Sequence, residues 1–190
     1  AYAEAGSQLV YAPTFGANRA SLSLHGLENQ VEEYNKRLVD LSQRAVKGKA
    51  LVGGDISPTG KILVSQGGDT QVDEIFEIYR EQIKPLAEAG ADFIGAETML
   101  SVEETMVALD AAMSVCHLPV ICTLTLEADG HALYGGNGGG GCGNPSGHGR
   151  QRGGRELLCR AGSAGTGYPE YERGGGDPDC GKAKRRAACD

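Results

Sequence analysis

Two acidic side chains follow apolar runs in the first half of the chain. Asp55 comes directly after "ALVGG" and Glu97 directly after "DFIGA". A carboxylate in apolar surroundings needs a partner, because burial of an uncompensated charge is costly, and we expect Glu97 to be deeply placed. Two carboxylates at one pocket could hold a substrate ammonium group or serve as general acid and base. The structural alternative for Asp55 is that its side chain caps the following "SPTG" turn.

The histidines and cysteines give no pattern typical of a metal site. His25, His117 and His131 each lack a second ligand nearby in sequence, so we expect surface or satisfied positions for them. No C-x-x-C pair occurs among the six cysteines, so their spacing indicates neither a zinc ribbon nor a redox motif. Cys116 and Cys122 are predicted to pack in the core. The sequence therefore assigns no catalytic residue and no metal ligand.

The elements that must position the two carboxylates alternate between apolar strands and amphipathic helices. Strands are predicted at residues 8–15, 50–56, 91–99 and 118–126. The apolar faces of the three intervening helices are predicted to contain Leu27, Val31, Tyr34, Leu38, Leu41 and Ala45; Val72, Ile75, Phe76, Tyr79, Ile83 and Leu86; and Met106, Leu109, Met113 and Cys116. Ser101 and Glu104 form a capping box before the third helix.

This alternation predicts an α/β fold in which helices cover a parallel sheet. Four βα units are too few for a closed eight-stranded barrel of about 250 residues, but they suit half of one or a small doubly wound sheet. No glycine fingerprint follows the first strand, which disfavours dinucleotide binding. In either fold the carboxyl ends of the strands share one edge, so Asp55 and Glu97 are predicted to lie near each other.

The bulk composition is typical of a cytoplasmic protein with neither nucleic acid nor membrane as a partner. The net charge is -7, and 40% of the residues are apolar. No apolar run approaches the roughly 18 residues of a membrane span, and the first residues lack a signal-peptide pattern. Because the chain opens without Met in the middle of a pattern, we expect it to be a fragment.

The composition changes abruptly near Asn137. Residues 135–190 contain 18 of the 30 glycines, nine Lys/Arg against six Asp/Glu, and no Val, Ile, Phe or Met. Such a segment cannot bury enough apolar surface to fold, so we expect residues 138–190 to be a disordered Gly/Arg-rich tail. Its glycine-rich and basic stretches resemble phosphate-binding or nucleic-acid motifs, but they lack the helix or the aromatic residues that those motifs require.

Four segments carry a family resemblance in the right order: "AGSQLVYAPTFGANRASLSLHGLE", "GGDISPTGK", "AGADFIGAETM" and "LPVICTLTLEADGHALYGGN". Residues 1–137 thereby resemble part of the homocysteine-binding domain of homocysteine S-methyltransferases, such as betaine-homocysteine methyltransferase and cobalamin-dependent methionine synthase. The resemblance implies a partial TIM (β/α)8 barrel and a zinc-activated transfer of a methyl group to the thiol of homocysteine. The implied donor is methylcobalamin, methyltetrahydrofolate or a methylated small molecule, with cobalamin carried by other domains.

The resemblance also assigns substrate-binding residues. Glu97 would hold the amino group of homocysteine, and Phe15, Asn18 and Asp55 would lie at or near the pocket. Pro13 stands where many relatives carry Asn, so no substrate contact is assigned to that position. The family's first barrel strand would precede this chain.

The genetic code offers an interpretation of the tail. With permitted codons, residues 148–162 read one base later give MGASAVGVNCSAGP, and residues 171–190 give MSEVVEIPIVAKPNAGLPA, both of which resemble later family segments. We therefore interpret residues 138–190 as an out-of-frame translation. The zinc-binding cysteine would be encoded across Leu157 and Leu158, so we expect an inactive fragment without its zinc ligands. The alternative is an unrelated α/β-barrel enzyme or an RNA-binding protein with a genuine Gly/Arg tail.

Overall fold

The computed structural model describes residues 1–127 and 131–134, together with the backbone of residues 155–161 and 170–173. Its central sheet contains four parallel strands: β1 (Leu9–Tyr11), β2 (Leu51–Ile56), β3 (Phe93–Met99) and β4 (Val120–Leu126). They pair in chain order, each strand beside its predecessor. This order belongs to successive units of a TIM barrel, whereas a doubly wound sheet reverses its order part way. The predicted half-barrel is confirmed.

Four α-helices accompany these strands: α1 (Arg19–Ser23), α2 (Val31–Val46), α3 (Val72–Glu88) and α4 (Val102–Val115). Half of the predicted capping box of α4 is present, because Ser101 Oγ accepts a hydrogen bond from the Glu104 backbone N–H at 3.2 Å, whereas the Glu104 side chain accepts from Thr59 and Tyr79. The short helix α1 was not predicted from the sequence; it begins at the side chain of Asn18, which accepts the Ser21 N–H at 2.9 Å. Among the described helices, none is both long and apolar enough to cross a membrane.

Two helices bury a face that only partly overlaps the predicted one: Val31 is buried as predicted, and Leu109 and Cys116 pack against the core. In α2 the fully buried positions include Asn35 and Val39, whereas the predicted Leu41 is 51% exposed. Asn35 is tolerated there because its amide donates to the carbonyls of Ala17 and Val31 at 2.8 and 2.7 Å. In α4 the large residues Met106 and Met113 are about half exposed, and the buried apolar positions are Val107, Ala108, Ala111 and Ala112.

The sheet has one face toward the helices and one toward the barrel interior. A Cβ atom on Gly54 would meet the Leu86 side chain of α3, so Gly54 faces the helices. Successive residues of a strand alternate, and Gly53 and Asp55 therefore face the interior. On this interior face the Phe93 ring lies over Gly53, and the rings of Tyr11 and Phe93 are 5.6 Å apart between centroids.

Two further strands pair beyond β4. Strand β5 (Arg155–Ala161) is antiparallel to β4, and β6 (Glu170–Arg173) is antiparallel to β5. Both segments fall within the tail that was predicted to be disordered. The other tail residues lie outside the described part of the chain, so the disorder of the tail stays a prediction.

The glycine at position 53 is required by the Phe93 ring. A Cβ atom there would lie 2.4 Å from two ring carbons, and Phe93 is 4% exposed, so the ring has little room to move. We expect Gly53→Ala to lower the free energy of unfolding by about 1–3 kcal/mol through overpacking. Urea unfolding measures this change. Gly16→Ala is the control, since nothing lies within 4 Å of its Cβ position, and an equal loss in both variants would contradict the packing argument.

Candidate functional site

Asp55 and Glu97 meet on the interior face at the carboxyl ends of β2 and β3. Asp55 pairs in register with Gly95, two residues before Glu97, so both carboxyl groups project to the same side. Asp55 is 5% exposed, and its Oδ1 atom has no hydrogen-bond partner among the described residues. The predicted proximity of the two side chains is therefore present in the structure.

The environment changes the proton affinity of Asp55. The pKa of Asp55 is raised to about 8, first by burial and then by the negative charge and the hydrogen bonding of Glu97. At neutral pH the Asp55 carboxyl is mostly protonated and shares a hydrogen bond with Glu97. A pair of this kind gains most from a cation, since a cation allows both carboxylates to ionise in a site with little water.

Two expectations about these carboxyl groups need correction. Glu97 was expected to be deeply buried, but it is half-buried, whereas Asp55 is removed from solvent. The reason is register, since Glu97 lies two residues nearer the carboxyl end of the sheet than Gly95, the partner of Asp55. The turn-capping alternative for Asp55 is also not what the structure shows, because its side chain contacts Glu97 and leaves Oδ1 unpaired within the described residues.

A bulge in β3 directs Glu97. The pairing of β3 with β4 shifts between Ala96 and Met99, and Thr98 within it has a φ of +59°. This left-handed conformation is uncommon for a β-branched residue and costs free energy. It is held by the Thr98 N–H, which donates to Thr123 Oγ1 at 3.0 Å. Strained backbone next to a carboxyl pair is typical of a functional site, and no local sequence pattern predicts this bulge.

The loop after β1 contributes mainly through Thr14. Its buried hydroxyl donates to the Asp55 carbonyl at 2.8 Å and accepts the Asp55 N–H at 2.9 Å, which fixes the backbone of Asp55. Phe15, in the same loop, is 39% exposed. Asn18 is fully buried, and both ends of its amide are used within the protein, on the Ser21 N–H and on Ser57 Oγ at 3.3 Å.

A further polar atom on this face has no partner within the described residues. Thr125 Oγ1 is buried and unpaired, and it follows Thr123 at the end of β4. Cys122, Leu124 and Leu126 alternate with these threonines and pack in the core against the helices, so Thr125 faces the interior. Of the three buried side-chain atoms without a partner among the described residues, Asp55 Oδ1 and Thr125 Oγ1 lie on the interior face and Gln82 Oε1 lies on α3.

The described residues do not supply a zinc site. No group of three or more His, Cys, Asp and Glu side chains in this part of the chain is arranged to hold a metal ion. Cys122 is buried in the core as predicted, and Cys116 is half-buried at the end of α4. His25, His117 and His131 are exposed, in agreement with the expectation of surface positions.

Comparison with known proteins gives a consistent set of similarities. The sequence model described as homocysteine S-methyltransferase matches residues 1–138. Methionine synthases of Mycobacterium leprae and Mycobacterium tuberculosis are each 26% identical to the chain, over 70% of this chain and 12% of their own length.

Solved structures show the same fold. The metallated form of the homocysteine methyltransferase MmuM from Escherichia coli superposes with a TM-score of 0.63 at 22% identity. Its oxidized form gives a TM-score of 0.62 at 21% identity, and each match covers 72% of this chain and 52% of that structure. The chain thus spans about half of the structures that it matches and about an eighth of the methionine synthases.

The raised pKa of Asp55 makes a testable contribution to stability. The folded pKa of about 8 lies above the ordinary value of 3.8, so the folded state holds the extra proton between these values. Stability is expected to fall as the pH rises from about 4 to about 8, by on the order of 1–3 kcal/mol after allowance for screening. Asp55→Asn should remove this loss and be the more stable protein at pH 8.5.

Urea unfolding at pH 5, 7 and 8.5 measures the effect. Asp73→Asn, which removes an exposed carboxylate in the first turn of α3, is the control and should keep the wild-type profile. Parallel profiles for wild type and Asp55→Asn would contradict the burial of a protonated carboxyl at this position.

Proposed function

Because the chain belongs to the homocysteine S-methyltransferase family, we propose that it binds the amino-acid end of homocysteine through Asp55 and Glu97. The observation that carries the proposal is the buried Asp55 carboxyl, with one oxygen unpaired and Glu97 against it. An ammonium group offers three N–H donors and a positive charge. It would satisfy Asp55 Oδ1 and offset the repulsion between the two carboxylates in one step.

Binding is coupled to proton release in this proposal. The free pair holds a proton near neutral pH, and the incoming ammonium group replaces that proton as the positive charge between the oxygens. Affinity should therefore increase as the pH rises toward 8. Phe15 supplies apolar surface beside the opening, and Asn18 acts indirectly by holding Ser57 and the start of α1.

The family reaction joins the sulfur of homocysteine to the methyl carbon of a donor, breaks the donor's bond to that carbon, and releases the thiol proton. Among the described residues of this chain, no group of side chains could hold a metal ion that would lower the pKa of that thiol. We propose that the chain recognises the substrate but does not activate its thiol, and that it is inactive alone. The donor, such as methylcobalamin, methyltetrahydrofolate or a methylated small molecule, would be presented by parts outside the described residues.

The residues beyond 137 belong to the same proposal. Their composition, and the family-like segments in the shifted reading, support an out-of-frame tail that replaces the zinc-binding part of the domain. The family match sets aside an unrelated α/β enzyme for residues 1–138. RNA binding by the tail rests on residues outside the described part of the chain.

Recognition of the ammonium group can be tested with a substrate that lacks it. We expect homocysteine to bind the 190-residue chain at least about tenfold more tightly at pH 8 than its analogue without the amino group, because a charge-assisted hydrogen bond contributes about 1.5–3 kcal/mol. Glu97→Gln should reduce homocysteine affinity by a similar factor and leave the analogue unaffected. Isothermal titration calorimetry gives both constants.

The matched control is Glu33→Gln, on the exposed side of α2, which should bind both ligands as the wild type does. Equal affinity of wild type for homocysteine and its analogue would refute ammonium recognition by this pair.

Zinc content is an independent test of the proposed inactivity. After incubation with zinc and removal of the unbound metal, the chain should retain far less than one equivalent, because the described residues offer no ligand cluster. Atomic absorption measures the ratio. A tight one-to-one zinc complex, or methionine formation by the purified chain, would show that ligands exist outside the described residues and would overturn the proposal.

A further inference from the structure

A second buried carboxylate lies behind the site, on the helix side of the sheet. Glu104, in the first turn of α4, is 3% exposed. Its Oε1 atom accepts hydrogen bonds from the Thr59 N–H, the Thr59 hydroxyl and the Tyr79 hydroxyl, each at 2.8 Å. Three donors on one oxygen compensate the burial of this charge without a cationic partner. Thr59, Tyr79 and Glu104 are called the Glu104 cluster below.

The Glu104 cluster joins the two chain segments that carry the site. Thr59 lies in the loop that follows Asp55 and β2, and Glu104 lies just after β3, which carries Glu97. Tyr79 comes from α3, the helix that connects these two strands. Its hydroxyl is also 3.1 Å from the Ser57 carbonyl, so it reaches the same loop at a second point.

This connection is placed where the sheet itself stops holding the strands together. The pairing of β2 with β3 ends at Ile56 and Ala96, immediately before Glu97. Beyond that point the ladder no longer fixes the distance between the two strand ends. The contacts of Thr59 with Glu104 are the described links that lie nearest to Asp55 along the segment after β2, and Gln66 with Ser101 and Ser65 with Glu103 join the same two segments farther along.

We propose that Thr59, Tyr79 and Glu104 are positioning residues that set the separation of the Asp55 and Glu97 carboxyl groups and thereby the affinity of the site for an ammonium group. The step to ammonium affinity rests on the function proposed above. The effect of the cluster on the separation of the two carboxyl groups concerns the free protein and can be tested without any ligand. A cluster with a purely structural role would change stability and leave the ionisation of Asp55 and Glu97 unchanged.

Tyr79→Phe is the most informative variant. It removes the hydroxyl that contacts Glu104 and Ser57 and keeps a ring in a fully buried position. The carboxyl carbons of Asp55 and Glu97 can be titrated by NMR in the full chain. We expect the pKa of Asp55 to fall, with a roughly tenfold loss of proton affinity, and the homocysteine dissociation constant to rise about fivefold to tenfold at pH 8.

Two further variants separate positioning from stability. Ile83→Val, one turn further along α3 in the fully buried core, should lower stability by about 0.5–1.5 kcal/mol and leave the titration as in wild type. Glu104→Gln retains an oxygen that can accept from Thr59 and Tyr79, so it should keep most of the wild-type titration and affinity.

The outcomes are distinguishable. If Tyr79→Phe lowers stability but leaves the titration of the Asp55 and Glu97 pair unchanged, the positioning role is overturned. This holds for any result on homocysteine affinity. A wild-type chain that titrates as expected but does not bind homocysteine would overturn the proposed function and retain the geometric role of the Glu104 cluster. A pKa from this titration that is lower in Tyr79→Phe than in wild type, and unchanged in Ile83→Val, supports the proposal.

Discussion

The close approach of Asp55 and Glu97 is the interaction on which the rest of the site depends. Burial and mutual repulsion raise the pKa of Asp55, so the free protein retains a proton that an isolated aspartate would lose. This arrangement costs free energy in the absence of a ligand, and in the proposed function a substrate cation would offset that cost. The surrounding structure serves to maintain the approach: Thr14 fixes the Asp55 backbone, the bulge at Thr98 directs Glu97, and Glu104 links the strand ends.

The half-barrel explains how such a pair can form. Parallel strands in chain order bring every strand end to one edge, and the interior face is covered there by two aromatic rings that lie across glycines. Helices cover the other face of the sheet, and there the buried Glu104 carboxylate is satisfied by Thr59 and Tyr79. The pair of carboxyl groups and the Glu104 cluster therefore lie on opposite sides of the sheet. In our proposal the cluster sets the separation of the two carboxyl groups through the chain segments that it joins.

The sequence predicted the parts of this structure that follow from periodicity. Apolar runs gave the four strands, and parallel connection placed Asp55 and Glu97 together. Buried helix faces were less predictable, because Met106 and Met113 resemble core residues although the small side chains of Ala108 and Ala112 permit closer packing. The left-handed Thr98 and the partners of Glu104 depend on contacts between distant segments, so no local pattern encodes them. Glu104 in particular was predicted only as half of a capping box.

The number of protons released on ligand binding reports directly on the protonated pair of carboxyl groups. Calorimetric titration at pH 7 in buffers of different ionisation enthalpy gives the number of protons that leave the protein when a ligand binds. Methionine is the ligand of choice beside homocysteine, because its thioether has no proton to contribute. We expect release of about one proton from the wild type and almost none from Asp55→Asn. Binding without proton release by the wild type would contradict a protonated carboxyl pair that exchanges its proton for the ammonium group.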